Sequence, residues 1–153
     1  MNAAGLAVAD TAERTDLPEH IVLYDGTCVL CHRGVRALMA LDTHRRLHFA
    51  PLQGPTARAL GVDWDDDAPP GSATFRYVDN TSGIPVLHER MDGVAAQLDV
   101  IDRLPVLARA IRIIPRPIAD GLYRIVAATR FALFGRYDGC RLPTRSERAQ
   151  LLP

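Results

Sequence analysis

Short apolar runs and longer amphipathic stretches alternate along the first two thirds of this 153-residue chain. The apolar runs have the length of buried strands. The amphipathic stretches repeat apolar residues every three or four positions, as Cys31, Val35 and Leu38 do, and this spacing is typical of helices with one buried face. A turn through 80–83 joins the last two runs as a hairpin. The predicted strands are 20–24, 47–50, 73–78 and 84–88, and the predicted helices are 28–41, 55–60 and 91–101.

This order of elements predicts an α/β fold, namely a thioredoxin-like βαβαββα core with additional C-terminal helices. Two further helical segments, 104–114 and 118–134, are separated by Pro115 and Pro117. We expect them to cover the sheet as extra helices. The expected parts of the chain are a disordered leader at 1–18, the core at 19–102, and a helical extension at 103–153 packed on the same domain.

Charge is distributed unevenly, although the net charge is zero. Residues 1–100 hold 8 arginines and 14 acidic residues, whereas residues 101–153 hold 10 arginines and 4 acidic residues, and the chain has no lysine. We expect the basic third to pair with the acidic part of the same chain rather than with nucleic acid. Arginine on amphipathic helices leaves peripheral membrane contact open as an alternative.

Cysteine usage points to a cytoplasmic, reducing setting. Three cysteines are too few, and odd in number, for a secreted disulfide scaffold. Residues 1–16 lack the basic segment and the apolar core of a secretory signal, and no stretch of membrane-spanning length is free of charge. In such a setting a pair of cysteines is expected to be catalytic or metal-binding rather than structural.

The motif that carries most information is Cys28-x-x-Cys31, placed where strand 20–24 gives way to helix 28–41. The first turn of a helix offers free backbone N–H groups and a partial positive charge, which favour a thiolate. Cys28 lies nearer the helix start, so we expect it to be the nucleophile and the more exposed thiol. Cys31 then faces inward and resolves the mixed disulfide. These features predict a thiol–disulfide oxidoreductase.

Three other residues at the strand end bear on this chemistry. If Asp25 is buried, its carboxylate can assist proton transfer to or from Cys31. Alternatively, Asp25 bonds the backbone amides of the Asp-Gly turn. Gly26 is expected to supply a backbone conformation that other residues resist, and Thr27 is expected to cap the following helix.

Zinc binding is the main alternative. Cys28 and Cys31 are followed by His44 and His48 at the Cys-x2-Cys-x12-His-x3-His spacing of a zinc finger. Such a chain would be a non-catalytic zinc-binding or interaction module. Against it, the residues between the cysteines are apolar, and the preceding strand has the character of a core strand.

Two further alternatives carry less weight. Cys28-x-x-Cys31-His32 also matches the attachment sequence of c-type haem, but that attachment requires export. Two buried cysteines can also fall at this spacing by chance. For the oxidoreductase we expect no cofactor and no metal. Its substrate would be a disulfide-containing protein or a small thiol compound, with an unidentified electron donor.

The residues Tyr24-Asp25-Gly26-x-Cys28-x-Leu30-Cys31 resemble the signature of the DCC family of predicted thiol–disulfide oxidoreductases. The resemblance implies a thioredoxin-like fold, with Asp25, Cys28 and Cys31 as the functional residues. It continues through Asp42, 49–53, 114–117, Asp120, Tyr123, Arg130, 134–135, Cys140 and 142–143.

Three features depart from this pattern or lie outside it. Met91-Asp92 stands where family members usually show a Ser-Asp pair. A thioredoxin site normally sets a cis-proline beside the dithiol, and only Pro70 and Pro85 lie near a predicted strand. Cys140 lies in a turn-like tail, where we expect it to pack that tail on the body, with a disulfide to the dithiol as the alternative.

Overall fold

The computed structural model describes residues 17–65, 67, 69, 72, 75–102, 104–138, 144–145 and 147–153. Within these residues the chain forms four strands, five α-helices and a short 3-10 turn. The strands are β1 (His20–Tyr24), β2 (Leu47–Pro51), β3 (Phe75–Asp79) and β4 (Val86–Glu89). The helices are α1 (Val29–Leu41), α2 (Pro55–Ala59), α3 (Arg90–Val100), α4 (Pro105–Ile113) and α5 (Arg116–Phe134), and the 3-10 turn is Glu147–Ala149.

The four strands form one mixed sheet in the order β2-β1-β3-β4. Strand β1 pairs in parallel with β2 and antiparallel with β3, and β4 pairs antiparallel with β3. A parallel pair requires a crossover, which α1 supplies between β1 and β2. The arrangement is that of a thioredoxin-like βαβαββα core followed by α4 and α5, so the predicted fold class is confirmed.

Strand β1 is buried on both faces and divides the apolar core in two. Val22 and Tyr24 pack with side chains of α1, α3 and α4 on one face of the sheet. Ile21 and Leu23 pack with α2 and the loop after it on the other face. Because successive side chains of a strand point to opposite faces, a continuous apolar run is what a strand covered on both sides requires.

Four predicted helix starts differ from the structure by one or two residues, and two of these differences bear on the site. Helix α1 begins at Val29, and its N-cap is Cys28 rather than Thr27. Helix α5 begins at Arg116, two residues earlier than predicted. Pro117 sits in the first turn of α5, where a missing N–H leaves no hydrogen bond unmade, so proline is tolerated there.

The C-terminal residues cover the open edge of β2, a feature that the sequence did not predict. Leu151 forms a parallel bridge to Phe49, and Phe49 N–H donates to the Gln150 carbonyl at 2.7 Å. The buried Asp42 carboxylate accepts from Leu47 N–H at 2.8 Å and from Gln150 Nε2 at 3.1 Å. The tail therefore satisfies backbone groups of an edge strand that would otherwise be free to pair with another chain.

Several predictions fall outside the described residues, among them most of the leader at 1–18, the beginning of strand 73–78, Pro70 and Cys140. The division of the chain into leader, core and extension stays a prediction. All peptide bonds of the described residues are trans, including that of Pro85. None of the described helices has the length and apolarity needed to cross a membrane.

Candidate active site

The end of β1 turns into α1 through a short loop that fixes the position of the dithiol. Cys28 N–H donates to the Asp25 carbonyl at 3.2 Å. Cys28 keeps an extended backbone, with φ −88° and ψ 117°, and its Sγ accepts from Cys31 N–H at 3.2 Å. A cysteine sulfur thus takes the place that an oxygen usually has at a helix N-cap, and this position favours a negative charge on it.

The environment lowers the pKa of Cys28 to about 7. The largest cause is a hydrogen bond from the Cys31 thiol, and the Cys31 backbone N–H and the positive charge of Arg130 act in the same direction. Burial and the negative charge of Asp25 oppose them. More of Cys28 is therefore thiolate near neutral pH than of an ordinary cysteine, which favours Cys28 as the nucleophile of the pair.

The pKa of Cys31 is shifted in the opposite direction. Its hydrogen bond to Cys28, its burial and the negative charge on Cys28 all raise the pKa of Cys31. The two thiols thus share one hydrogen bond in which Cys31 donates and Cys28 accepts. In this state Cys28 is the thiol that ionises more readily, and Cys31 stays protonated.

The expectation that Cys28 is the more exposed thiol is wrong. Cys28 is 0% exposed and Cys31 is 6% exposed. The segment 135–138 lies against the dithiol loop, since Tyr137 N–H donates to the Thr27 carbonyl at 2.9 Å and Arg136 forms an antiparallel bridge with Cys28. We call residues 135–138 the strap. Gly135 ends α5 with φ 81°, a conformation that favours glycine and turns the chain towards the dithiol.

Asp25 is fully buried and acts as an acceptor in every contact that its carboxylate makes with the described residues. Oδ1 accepts from Thr27 N–H at 3.0 Å, from Thr27 Oγ1 at 2.9 Å and from Gln53 Nε2 at 2.9 Å. The carboxylate is buried, as the proton-transfer hypothesis requires, and it also accepts a hydrogen bond from a loop amide, as the alternative hypothesis expected. Its role in proton transfer stays a prediction.

Arg130 supplies the positive charge beside Asp25. Its Nη2 lies 3.1 Å from Asp25 Oδ2, and both side chains are buried. Its Nη1 donates to the Ala127 carbonyl at 2.7 Å within α5. An arginine in an amphipathic helix usually faces solvent, but Arg130 faces the buried carboxylate instead. The family resemblance, which includes both Asp25 and Arg130, was the one feature of the sequence from which their contact could have been predicted.

Gln53 is a second site residue that pattern analysis missed. Its Oε1 accepts from Gly26 N–H at 3.0 Å while its Nε2 donates to Asp25. A Cβ atom at Gly26 would lie 3.1 Å from Gln53 Oε1 and 3.3 Å from Pro51 Cβ. Gly26 is not among the glycines with positive φ, so the close approach of β2, and not an unusual conformation, favours glycine there.

His32 lies beside the dithiol loop and contacts Gly26, Tyr24 and Tyr137. Its Nε2 donates to the Gly26 carbonyl at 2.8 Å. Its ring meets Tyr24 and Tyr137 edge to face, with centroid distances of 5.3 and 5.2 Å. Because that nitrogen is engaged by a backbone carbonyl, His32 serves the packing of the loop and the strap rather than the axial ligation that the haem alternative requires.

The zinc hypothesis is wrong. Cys28 and Cys31 lie at the start of α1, whereas His44 follows its end, roughly 20 Å away for a helix of this length. His44 is largely exposed and lies 3.5 Å from Asp102. His48 pairs in register with Ile21, whose side chain packs on the α2 face of the sheet. The part of the chain that the structure describes contains no cluster of three or more metal-binding side chains.

The arrangement of the two thiols predicts the pH dependence of Cys28. In a Cys140→Ser background, the rate of iodoacetamide addition to Cys28 should rise with a midpoint near pH 7, because the thiolate is the reacting form. Cys31→Ala removes the donor and should raise the midpoint, whereas Cys31→Ser keeps an O–H donor and should raise it less. A midpoint at the free-thiol value of about 8.5 would contradict the lowered pKa.

The buried ion pair predicts a large effect on stability. Arg130→Met leaves the Asp25 carboxylate buried without its cation and should lower the free energy of unfolding by about 3–5 kcal/mol in urea titrations. The double variant Asp25→Leu/Arg130→Met should regain much of this loss, because no uncompensated charge remains. Arg124→Met, at an exposed position of the same helix, is the matched control and should change stability by less than about 0.5 kcal/mol. Equal effects of Arg130→Met and Arg124→Met would show that the pair contributes nothing.

Comparison with known proteins shows the family of the chain. The family model described as DCC1-like thiol-disulfide oxidoreductase matches residues 22–136. A chloroplastic DCC family protein of Arabidopsis thaliana is 32% identical over 123 residues, which cover 80% of this chain and 69% of the relative. The uncharacterized protein YuxK of Bacillus subtilis is 29% identical over 146 residues, covering 90% of this chain and 96% of the relative. No solved structure matches the chain. The chain belongs to the DCC1-like thiol-disulfide oxidoreductase family.

Proposed function

We propose that this protein is a thiol–disulfide oxidoreductase of the protein-disulfide reductase type, with Cys28 as the nucleophile and Cys31 as the resolving thiol. The observation that carries the proposal is the asymmetry of the pair. Cys28 Sγ accepts hydrogen bonds at a helix N-cap and has a pKa of about 7, whereas the pKa of Cys31 is raised. Family membership supports the same redox chemistry.

The reaction begins with the Cys28 thiolate. It attacks one sulfur of a substrate disulfide, the substrate S–S bond breaks, and the other substrate sulfur leaves as a thiolate that takes up a proton. Cys31 then loses its proton and attacks Cys28 Sγ, which releases the second substrate thiol and leaves a Cys28–Cys31 disulfide. Two electrons from a donor dithiol return this disulfide to the starting state.

Asp25 and Arg130 prepare the second step. Cys31 is protonated at rest, so the resolving attack requires a base. The negative charge of the buried Asp25 carboxylate raises the pKa of Cys31, and this interaction between the two groups supports a role of Asp25 as proton acceptor. Arg130 keeps that carboxylate in place at 3.1 Å and lowers the pKa of Cys28.

Substrate access requires the strap to move, because Cys28 is completely buried. One backbone hydrogen bond, from Tyr137 to Thr27, and the bridge between Arg136 and Cys28 attach the strap to the loop. Tyr137 also packs on His32. Contacts this few can open locally at a small part of the total stability.

The substrate class that fits this site is a disulfide-containing protein or a small disulfide whose sulfur enters when the strap opens. The electron donor would be a second thiol system. We propose that the reaction runs in the direction of disulfide reduction in a reducing compartment, the cytoplasm, as the cysteine usage favours.

Substitution of the two cysteines tests the proposed order of events. With insulin as substrate and dithiothreitol as donor, Cys28→Ser should lower the rate of disulfide reduction by at least about 100-fold, because the attacking sulfur is lost. Cys31→Ser should accumulate a mixed disulfide between Cys28 and the substrate, seen by mass spectrometry. Asp25→Asn, made in the protein that keeps Cys31, should lengthen the lifetime of the same mixed disulfide. Cys140→Ser is the control and should retain activity. Equal activity of Cys28→Ser and the parent protein, both folded by circular dichroism, would refute the proposal.

The strap predicts that removal of the Tyr137 ring increases access to Cys28. Tyr137→Ala should raise the rate of Cys28 alkylation at pH 8 by about tenfold, because loss of a packing contact of roughly 1–2 kcal/mol favours the open form. The midpoint of the pH profile should stay near 7, since Tyr137 is not among the groups that shift the pKa of Cys28. Tyr77→Phe, which keeps the buried ring of a tyrosine elsewhere in the core, is the control. An unchanged alkylation rate in Tyr137→Ala would show that the strap does not limit access.

A further inference from the structure

The largest exposed apolar surface among the described residues lies on α4 and α5. Twelve large apolar side chains of the described residues are exposed, and ten of them belong to these two helices and the turn between them. Globular proteins scatter such residues singly, and a contiguous set of them marks an interaction site. We define the apolar stripe by its six members: Ile113, Ile118, Leu122, Ile125, Val126 and Leu133, which are 44% to 81% exposed.

Helix α5 is oriented with its large apolar residues outward. Ile118, Leu122 and Ile125 follow at spacings of four and three residues, Val126 is adjacent to Ile125, and Leu133 comes seven residues after Val126, about two turns later, so the stripe occupies one side of the helix. The residues that α5 buries are Ala119, Ala127 and Arg130. A helix that packs small residues inward and presents isoleucine and leucine outward loses apolar burial unless something covers its outer side.

The charge of the same helices indicates what covers the stripe. Helices α4 and α5 contain five arginines and a single acidic residue, Asp120. Three of the arginines have acidic partners: Arg112 with Asp99, Arg116 with Asp92, and Arg130 with Asp25. Arg109 and Arg124 are exposed and have no acidic partner within the described part of the chain. Both are therefore available to bind phosphate groups.

We propose that the apolar stripe docks on an anionic membrane surface, with α4 and α5 lying in the interface and Arg109 and Arg124 bound to lipid phosphates. An amphipathic helix of this composition inserts its aliphatic side chains between lipid headgroups while its arginines contact the phosphates. A second copy of the chain fits less well, because a two-fold contact through the stripe would bring arginine-rich helices together without acidic partners. The proposal is independent of the redox activity.

Co-sedimentation with lipid vesicles tests the proposal on the full chain. We expect the protein to bind vesicles of phosphatidylglycerol and phosphatidylcholine, to bind pure phosphatidylcholine vesicles weakly, and to leave the anionic vesicles as salt is raised. Leu122→Gln/Ile125→Gln should remove most of the binding. Arg109→Gln/Arg124→Gln should weaken binding to the anionic vesicles by about tenfold.

The matched control is Ile84→Gln/Val86→Gln, which removes two exposed apolar side chains from the β3–β4 hairpin and should bind as the parent protein does. All substituted side chains are exposed, and unchanged circular dichroism would show that each variant is folded. The proposal is overturned if the parent protein does not bind anionic vesicles at low salt, or if the Leu122→Gln/Ile125→Gln variant binds as well as the control. It is also overturned if light scattering shows a dimer that only this variant dissociates, because the stripe would then bind a second copy.

Discussion

The ion pair between Asp25 and Arg130 is the contact on which the site depends. Both side chains are buried, 105 residues apart in the chain, and 3.1 Å apart in the structure. A buried carboxylate is tolerated only where cations and donors replace water. Asp25 receives these from α5 through Arg130, from the turn after β2 through Gln53, and from its own loop through Thr27. Three separate parts of the chain therefore have to be in place before the loop that carries the dithiol is complete.

This dependence makes α5 part of the site rather than an appendage. Its inward side carries Arg130 and also Tyr123, whose hydroxyl accepts from Phe75 N–H at 3.1 Å. One of these contacts fixes the helix to β3, and the other fixes it to the end of β1. The strap then leaves the end of α5 at Gly135 and pairs with the dithiol loop. A thioredoxin-like core without α5 would hold the same two cysteines, but Asp25 would have no cation and Cys28 would have no cover.

The difference between the two thiols follows from the hydrogen bond between them more than from nearby charged side chains. The cysteines are separated by less than one helical turn, and nearby charges oppose each other, since Arg130 lowers the pKa of Cys28 while Asp25 raises it. The two sulfurs differ in the part each takes in hydrogen bonding. Cys28 stands at the N-cap, where the Cys31 N–H points at its sulfur, whereas Cys31 lies inside the helix and donates its thiol proton to Cys28. The spacing of a Cys-x-x-Cys motif at a helix start places the N–H and the thiol of Cys31 within reach of the Cys28 sulfur.

Local patterns predicted the parts of the molecule that depend on local physics. The apolar runs predicted β1 and β2 because strands covered on both faces need continuous burial, and helical spacing predicted α1 and its buried residues. The role of Arg130 could not be predicted in this way, since an arginine inside an amphipathic pattern is placed on the solvent side by its chemistry alone. The pairing of Gln150 with Asp42 escaped for the same reason, because it joins residues 108 apart.

Helix α5 shows most directly where the pattern of a single helix misleads. Its periodicity identifies two sides correctly but does not show which of them faces the protein. The usual rule buries the aliphatic side. Here the core is already closed over β1 by α1 and α3. The inward side of α5 carries Ala119, Ala127, Tyr123 and the guanidinium of Arg130, which pairs with the buried carboxylate of Asp25, while its aliphatic residues point outward. The apolar stripe is then a consequence of how the site is built.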